Sequence, residues 1–127
     1  MSGVSLTTNS SSPSPFAGTV TTTDNTPTTL LSIPLGSTAG TYQVDAMVAA
    51  FNGSTPAGGG YEVIGSVRTN GTTATLIGTA DQIFSLDTVL DDTDVALAVS
   101  GNNLIIQVTG VALIIDWAGS VQLVKVT

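Results

Sequence analysis

Thr41–Phe51 reads TYQVDAMVAAF and alternates cleanly. One set of alternate positions is apolar and consists of Tyr42, Val44, Ala46 and Val48. The positions between them begin with Gln43, Asp45 and Met47. Because successive side chains of a β-strand point to opposite faces, this period of two predicts a strand with one buried face.

The same alternation predicts further strands along the chain. In Tyr61–Thr69 one face holds Tyr61, Val63 and Val67, and the opposite face holds Glu62, Ser66 and Arg68. We predict the other strands near Thr19–Thr23, Thr28–Ile33, Thr72–Gly78, Gln82–Leu86, Asp94–Ser100, Leu104–Thr109 and Ile114–Val126. No stretch keeps an apolar period of about 3.6 residues, so we expect no helix.

Glycine and asparagine mark the connections between these strands. Asn70-Gly71 predicts a two-residue type I′ hairpin, and Gly101-Asn102 predicts a second tight hairpin. Gly58-Gly59-Gly60 predicts a flexible loop before the Tyr61 strand. Turn signals that recur roughly every 8–12 residues are typical of sandwiches and jelly rolls. The expected fold is therefore all-β, an antiparallel, jelly-roll-like β-sandwich of about eight strands.

The first 17 residues differ from the rest of the chain. They are rich in Ser, Thr and Pro and have almost no apolar periodicity. Two interpretations stay open: a frayed terminus, or an extended arm that becomes ordered on a neighbouring molecule. In the second interpretation Phe16 is the natural anchor, and Pro13 and Pro15 join it as candidate interface residues. We therefore divide the chain into a flexible arm at 1–17 and a β-sandwich domain at 18–127.

The composition excludes several classes of function. The 127 residues contain no His and no Cys, which excludes Ser-His-Asp and Cys-His nucleophilic sites and zinc, haem and iron–sulfur ligation. Arg68 and Lys125, the two cations of the chain, are too few to neutralise a nucleic acid backbone. The longest apolar run, Val111–Ile115, is far below the roughly 18 residues of a membrane helix. Because the chain lacks His and Cys, we expect no enzyme activity and no cofactor. The N-terminus shows no signal peptide, so we expect synthesis in a cytoplasm.

Two features could carry chemistry. Asp87, Asp91, Asp92 and Asp94 are spaced closely enough to bind Ca²⁺, but they lack the Gly and Glu of an EF-hand loop. A solvated loop between strands is the simpler interpretation of this segment. Trp117 follows Asp116 in the final predicted strand, where a tryptophan is expected to belong to the core.

The scarcity of charge points to assembly. Charged residues make up 9% of the chain, against roughly 25% in an average soluble domain. A domain of this size exposes much of its surface, and here that surface must be covered by hydroxyl and small apolar side chains. Such a composition fits an obligate oligomer or a lattice component better than a monomer.

Two segments carry a family resemblance. Tyr61–Gly78 contains Tyr61-Glu62-Val63-Ile64-Gly65, then Arg68 and the turn Gly71-Thr72. Asp94–Val126 contains Ser100-Gly101-Asn102-Asn103-Leu104, then Val108-Thr109-Gly110 and Ile115-Asp116-Trp117. In this order the motifs resemble a β-module that recurs in virion proteins of tailed bacteriophages. The resemblance implies a structural protein of the virion, commonly a homotrimer.

The resemblance leaves two locations open. One is the capsid surface, where a decoration (cement) protein binds the major capsid protein and stabilises the assembled head. The other is a tail, neck or fibre component, with a possible role in binding host glycans. We favour decoration because the module stands almost alone, without a long repetitive shaft, and because it carries a short arm.

Overall fold

The structure, a computed structural model, describes residues 16–127. These residues form eight strands and one turn of 3₁₀ helix at Thr88–Leu90. The strands are β1 (Phe16–Thr22), β2 (Thr28–Pro34), β3 (Gly40–Asn52), β4 (Ala57–Thr69), β5 (Ala74–Leu86), β6 (Asp94–Ser100), β7 (Asn103–Thr109) and β8 (Ile115–Val126). Within this part of the chain, no helix is long and apolar enough to cross a lipid bilayer.

The strands form two antiparallel sheets. The larger sheet has the order β1-β8-β3-β4-β5, and the smaller sheet has the order β2-β7-β6. The first strand pairs with the last and the second with the seventh, so the chain passes between the sheets as a jelly roll does. The predicted all-β sandwich of about eight strands is confirmed.

The core lies between the two sheets and follows the predicted alternation. The apolar face of β3 is buried as expected, with Val44 and Ala46 fully inaccessible to solvent. Trp117 of β8 is 1% exposed, and its Nε1 donates a hydrogen bond to Thr22 Oγ1 at 2.9 Å. The prediction that Trp117 belongs to the core is confirmed, and its one polar atom is satisfied inside the sandwich.

The prediction of a flexible loop at Gly58-Gly59-Gly60 is wrong. These glycines lie within β4 and pair with Phe51, Ala50 and Ala49 of β3. A Cβ atom added at Gly59 would collide with the side chain of Leu86 on the neighbouring strand. The three glycines are therefore paired strand backbone and not a loop, and Leu86 of β5 fills the space beside Gly59.

The hairpin at Asn70-Gly71 exists, but its turn is longer than predicted. Thr69 pairs with Ala74, so the loop has four residues instead of the two of a type I′ turn. Asn70 Oδ1 accepts hydrogen bonds from the backbone N–H groups of Thr72 and Thr73, and Gly71 adopts φ of 98°. The asparagine thus stabilises the turn through its side chain. The second hairpin is confirmed as a two-residue loop, with Ser100 paired to Asn103.

The two strands predicted at Thr72–Gly78 and Gln82–Leu86 are one strand, β5. The pairing of β4 with β5 is regular on both sides of a bulge, where Gly78, Thr79 and Ala80 lie opposite Gly65 alone. Gly78 adopts φ of 65°, a value that favours glycine, so the strand bends without ending.

Asn102 connects three segments at one end of the sandwich. Its Nδ2 donates to the carbonyl oxygen of Gly36 at 2.6 Å, and its Oδ1 accepts from Thr69 Oγ1 at 2.5 Å. Its backbone carbonyl also accepts from the N–H of Leu35 at 3.1 Å. One side chain therefore joins the β2–β3 loop and the end of β4 to the β6–β7 hairpin.

Candidate interaction surface

The predicted interface residues lie at the start of the described chain or before it. Phe16 is the first residue of β1, where it pairs with Val121 and packs half-buried against the core. The strand thus includes the last two residues of the predicted arm, Phe16 and Ala17. Pro13 and Pro15 lie outside the described residues. Phe16 therefore packs against its own sandwich, and the exposed surface that can engage a partner lies elsewhere on the described chain.

The acidic segment forms an ordered turn. Asp87 Oδ2 accepts a hydrogen bond from the N–H of Gly58 at 2.8 Å, and Asp94 Oδ1 accepts from Gln82 Nε2 at 2.8 Å. Between them Leu90 is fully buried in the core. Among residues 16–127, no three acidic, His or Cys side chains converge as metal ligands would. Asp87 and Asp94 therefore fix the position of this turn against β4 and β5.

We call the side of the five-stranded sheet that faces away from β2, β6 and β7 the outer face. The strand register aligns small residues across all five strands of this face, at the positions Thr19, Ala118, Ala49, Gly60 and Ser85. The next row contains larger apolar residues, with Met47 and Ile83 on either side of Glu62. On the opposite side of the small row lies Phe51. Side-chain size thus changes sharply along β3, where Met47 and Phe51 flank Ala49, and along β5, where Ile83 precedes Ser85.

This contrast in size produces a groove that runs across the strands. Small residues form its floor, and Met47, Ile83 and Phe51 form its walls. One end is a depression of about 630 Å³ bordered by Met47 and Ile83. The other is a depression of about 450 Å³ bordered by Phe51 and Thr19, and the two meet at Ala49 and Ala118. We call this continuous feature the cross-strand groove.

The walls of the groove are apolar and exposed. Met47 is 59%, Phe51 50% and Ile83 62% accessible to solvent. Strands spaced about 4.8 Å apart with a rise of about 3.3 Å per residue give the outer face an area of about 900 Å². A stable interface takes roughly 800 Å² from each partner. The outer face is therefore large enough and apolar enough to bind another protein.

The charge on the outer face is mainly negative. Asp45 and Glu62 are diagonal neighbours on β3 and β4, because Met47 lies opposite Glu62 and Asp45 lies opposite Ile64. The hydrogen bond that a protonated Glu62 donates to Asp45 raises the pKa of Glu62, and the negative charge of Asp45 raises it further. Asp45 Oδ1 is buried and has no hydrogen-bond partner among the described residues. This pair is the natural position for a cationic or hydrogen-bond-donating group of a partner.

The outer face was not predicted from the sequence, although the sequence contains a signal for it. The second half of β3 reads AMVAAF, with apolar residues at Met47, Ala49 and Phe51 where the opposite face should be polar. Strands that are covered on both faces read as near-continuous apolar runs, and this half of β3 has that pattern. In the described chain only one of these faces is covered.

Comparisons with known proteins do not assign a family. No protein-family model and no curated protein matches the chain. The tailspike protein of Acinetobacter baumannii phage AM24 aligns with 87% of the chain at a TM-score of 0.38 and 9% sequence identity. The alignment covers 26% of that tailspike, so the chain spans about a quarter of its length. At so low a TM-score the match does not establish a shared fold, and the functional proposal rests on the residues of the chain itself.

Proposed function

We propose that this chain is a structural protein of a bacteriophage virion, and specifically a decoration protein that binds and stabilises the assembled head. The observation that carries the proposal is the outer face, a sheet surface of about 900 Å² on which Met47, Phe51 and Ile83 are exposed. The charge-poor composition and the resemblance to phage virion modules support it.

The motifs that carry the resemblance are structural. Tyr61, Leu104 and Trp117 belong to the buried core, and Gly101 provides the turn between β6 and β7. These residues support a shared architecture and do not select a partner. The choice of partner is assigned to the outer face, whose groove residues Met47, Phe51 and Ile83 are not part of the motifs.

In this proposal the outer face lies across the boundary between neighbouring subunits of the major capsid protein. The shell surface inserts side chains into the cross-strand groove and places a cation near Asp45 and Glu62. The shell surface that the outer face binds is complete only when neighbouring capsid subunits are assembled. Binding of the chain therefore stabilises the assembled shell by mass action. Many copies on one particle then add their contributions. We further propose that the copies associate as trimers, which fits the low content of charge.

The second candidate is a component of the tail, neck or fibre. The resemblance supports it equally, because the same motifs would build the same sandwich there. The two candidates differ in the number of copies per particle. Quantitative mass spectrometry of purified virions that contain the chain, normalised to the major capsid protein, separates them. Hundreds of copies per particle support decoration, a handful supports the tail, and absence from the particle refutes both.

A further inference from the structure

The strand β5 forms one edge of the five-stranded sheet. In the described chain it pairs with β4, and no strand pairs with its other side. Within its final segment, Asp81–Leu86, Ile83 projects from the outer face and is 62% exposed. Phe84 projects from the opposite face and is 56% exposed, although its ring lies 5.7 Å from that of Tyr61. We call this segment the β5 edge.

The β5 edge has few of the features that normally protect an exposed strand, and Asp81 at its start is its one charged residue. Such edges are usually interrupted by Pro, Lys or a bulge, because unpaired N–H and C=O groups recruit other strands. Asp81–Leu86 contains neither Pro nor Lys, and the bulge of β5 lies before it at Gly78–Ala80. A protein lying on one face of the sheet would cover Ile83 or Phe84, but not both. An added strand would place its side chains beside both and would satisfy the backbone as well.

We propose that the β5 edge binds residues Val4–Thr8 of a neighbouring copy as an added strand. This segment reads VSLTT and alternates Val4 and Leu6 with Ser5 and Thr7, a pattern suited to a strand with one apolar face. The proposal deepens the self-association of the proposed function and rests on it. It assigns the N-terminal segment to a contact between copies, while the outer face contacts the shell.

The charges near the β5 edge select this occupant over a second β5 edge. Asp81 lies on the segment, Asp87 follows it, and Asp94 accepts a hydrogen bond from Gln82 within it. Antiparallel pairing of two β5 edges would bring two such sets of carboxylates together, which is unfavourable. Residues 1–15 contain no charged side chain, so they can approach without this repulsion.

The length of the N-terminal segment also fits. Phe16 begins β1, which is the opposite edge of the same sheet, about 19 Å from β5. The residues between Thr8 and Phe16 can span about 26 Å when extended. Copies arranged side by side, with β1 of one next to β5 of another, therefore bring Val4–Thr8 within reach of the β5 edge. Repetition of this head-to-tail contact closes a ring such as a trimer.

The absence of native cysteines allows a direct test on the full-length protein. Variants Ser5→Cys and Leu6→Cys, one for each face of the added strand, are each mixed with a differently tagged Ser85→Cys chain and oxidised. We expect a disulfide between the two chains, with roughly tenfold or more product than with Thr75→Cys, an exposed position of β5 beyond the bulge. Equal yields at positions 75 and 85, or dominant Ser85–Ser85 products, would overturn the proposal.

Two further measurements test the contact, and the second does not depend on a disulfide. The double variant Leu6→Cys/Ser85→Cys at low concentration should cross-link between chains, and a product confined to one chain would overturn the assignment to a neighbour. Phe84→Lys and Leu6→Asp should each dissociate the oligomer in light scattering, and an unchanged mass for both would contradict the proposal. None of these assays contains phage particles. A negative result would therefore refute the contact between copies without bearing on the proposed binding to the shell.

Discussion

Truncation of the walls of the cross-strand groove should weaken attachment to particles without unfolding the protein. Met47 is 59% exposed, so its truncation to Ala removes few contacts within the sandwich and should change the free energy of unfolding by less than about 0.5 kcal/mol. Full burial of a Met or Phe side chain contributes about 1.5–3 kcal/mol. Burial of the exposed half of Met47 or Phe51 against a shell is therefore worth about 1–2 kcal/mol, or roughly a 5- to 30-fold change in Kd.

The assay is a titration of particles that lack the chain, followed by pelleting and quantification of the bound protein. Met47→Ala and Phe51→Ala should each weaken binding by that factor, and their effects should add because the residues lie about 13 Å apart along β3. Val89→Ala is the matched control, since Val89 is 44% exposed and lies in the 3₁₀ turn outside the five-stranded sheet. If both groove variants bind as tightly as the wild type, the outer face does not attach the protein.

Three other predictions concern the pair of Asp45 and Glu62, the contacts of Asn102, and the oligomeric state. Glu62→Gln should raise the melting temperature at neutral pH. Because Asp45 raises the pKa of Glu62 in the folded protein, the folded wild type retains a proton that the unfolded chain releases at the same pH. The free energy of unfolding of the wild type therefore falls as the pH rises above about 4.5. Parallel wild-type and Glu62→Gln melting curves across pH 4 to 7 would contradict this coupling. Asn102→Ala should cost about 1–3 kcal/mol in denaturant unfolding, because it removes the bonds to Gly36 and Thr69, whereas Asn103→Ala should cost less. Light scattering should report a trimer, and a monomer at micromolar concentration would refute the proposed self-association.

Much of the fold could be predicted because alternation is a direct consequence of strand geometry. In β3 the buried and exposed positions follow the sequence residue by residue from Tyr42 to Val48. The tight hairpin at Gly101 was also predictable, since a positive φ of 58° there requires a residue such as glycine.

The errors have a common physical origin, which is that glycine has several structural uses. Gly58–Gly60 resembles a loop locally, and only the pairing with β3 and the contact of Gly59 with Leu86 of the neighbouring strand show that it is part of β4. Gly78 resembles the end of a strand, but the pairing with β4 continues beyond it. Information of this kind lies in contacts between strands and cannot be read from one segment.

The candidate surface was harder to predict than the fold. Composition indicated that some weakly polar surface must be covered, but it could not say which one. The cross-strand groove arises from the register of five strands, which aligns Ala118, Ala49 and Gly60 although they are far apart in the sequence. Register depends on the long-range pairing of the whole sheet.

Cysteine accessibility on the particle shows whether the outer face is covered by the shell. Ala49→Cys lies on the floor of the cross-strand groove, and Ser32→Cys lies on an exposed position of the smaller sheet. Both should react with a maleimide in the free protein. On intact virions the account predicts that Ala49→Cys is protected while Ser32→Cys still reacts. Equal labelling of Ala49→Cys in the free and particle-bound protein would contradict the claim that the outer face binds the shell.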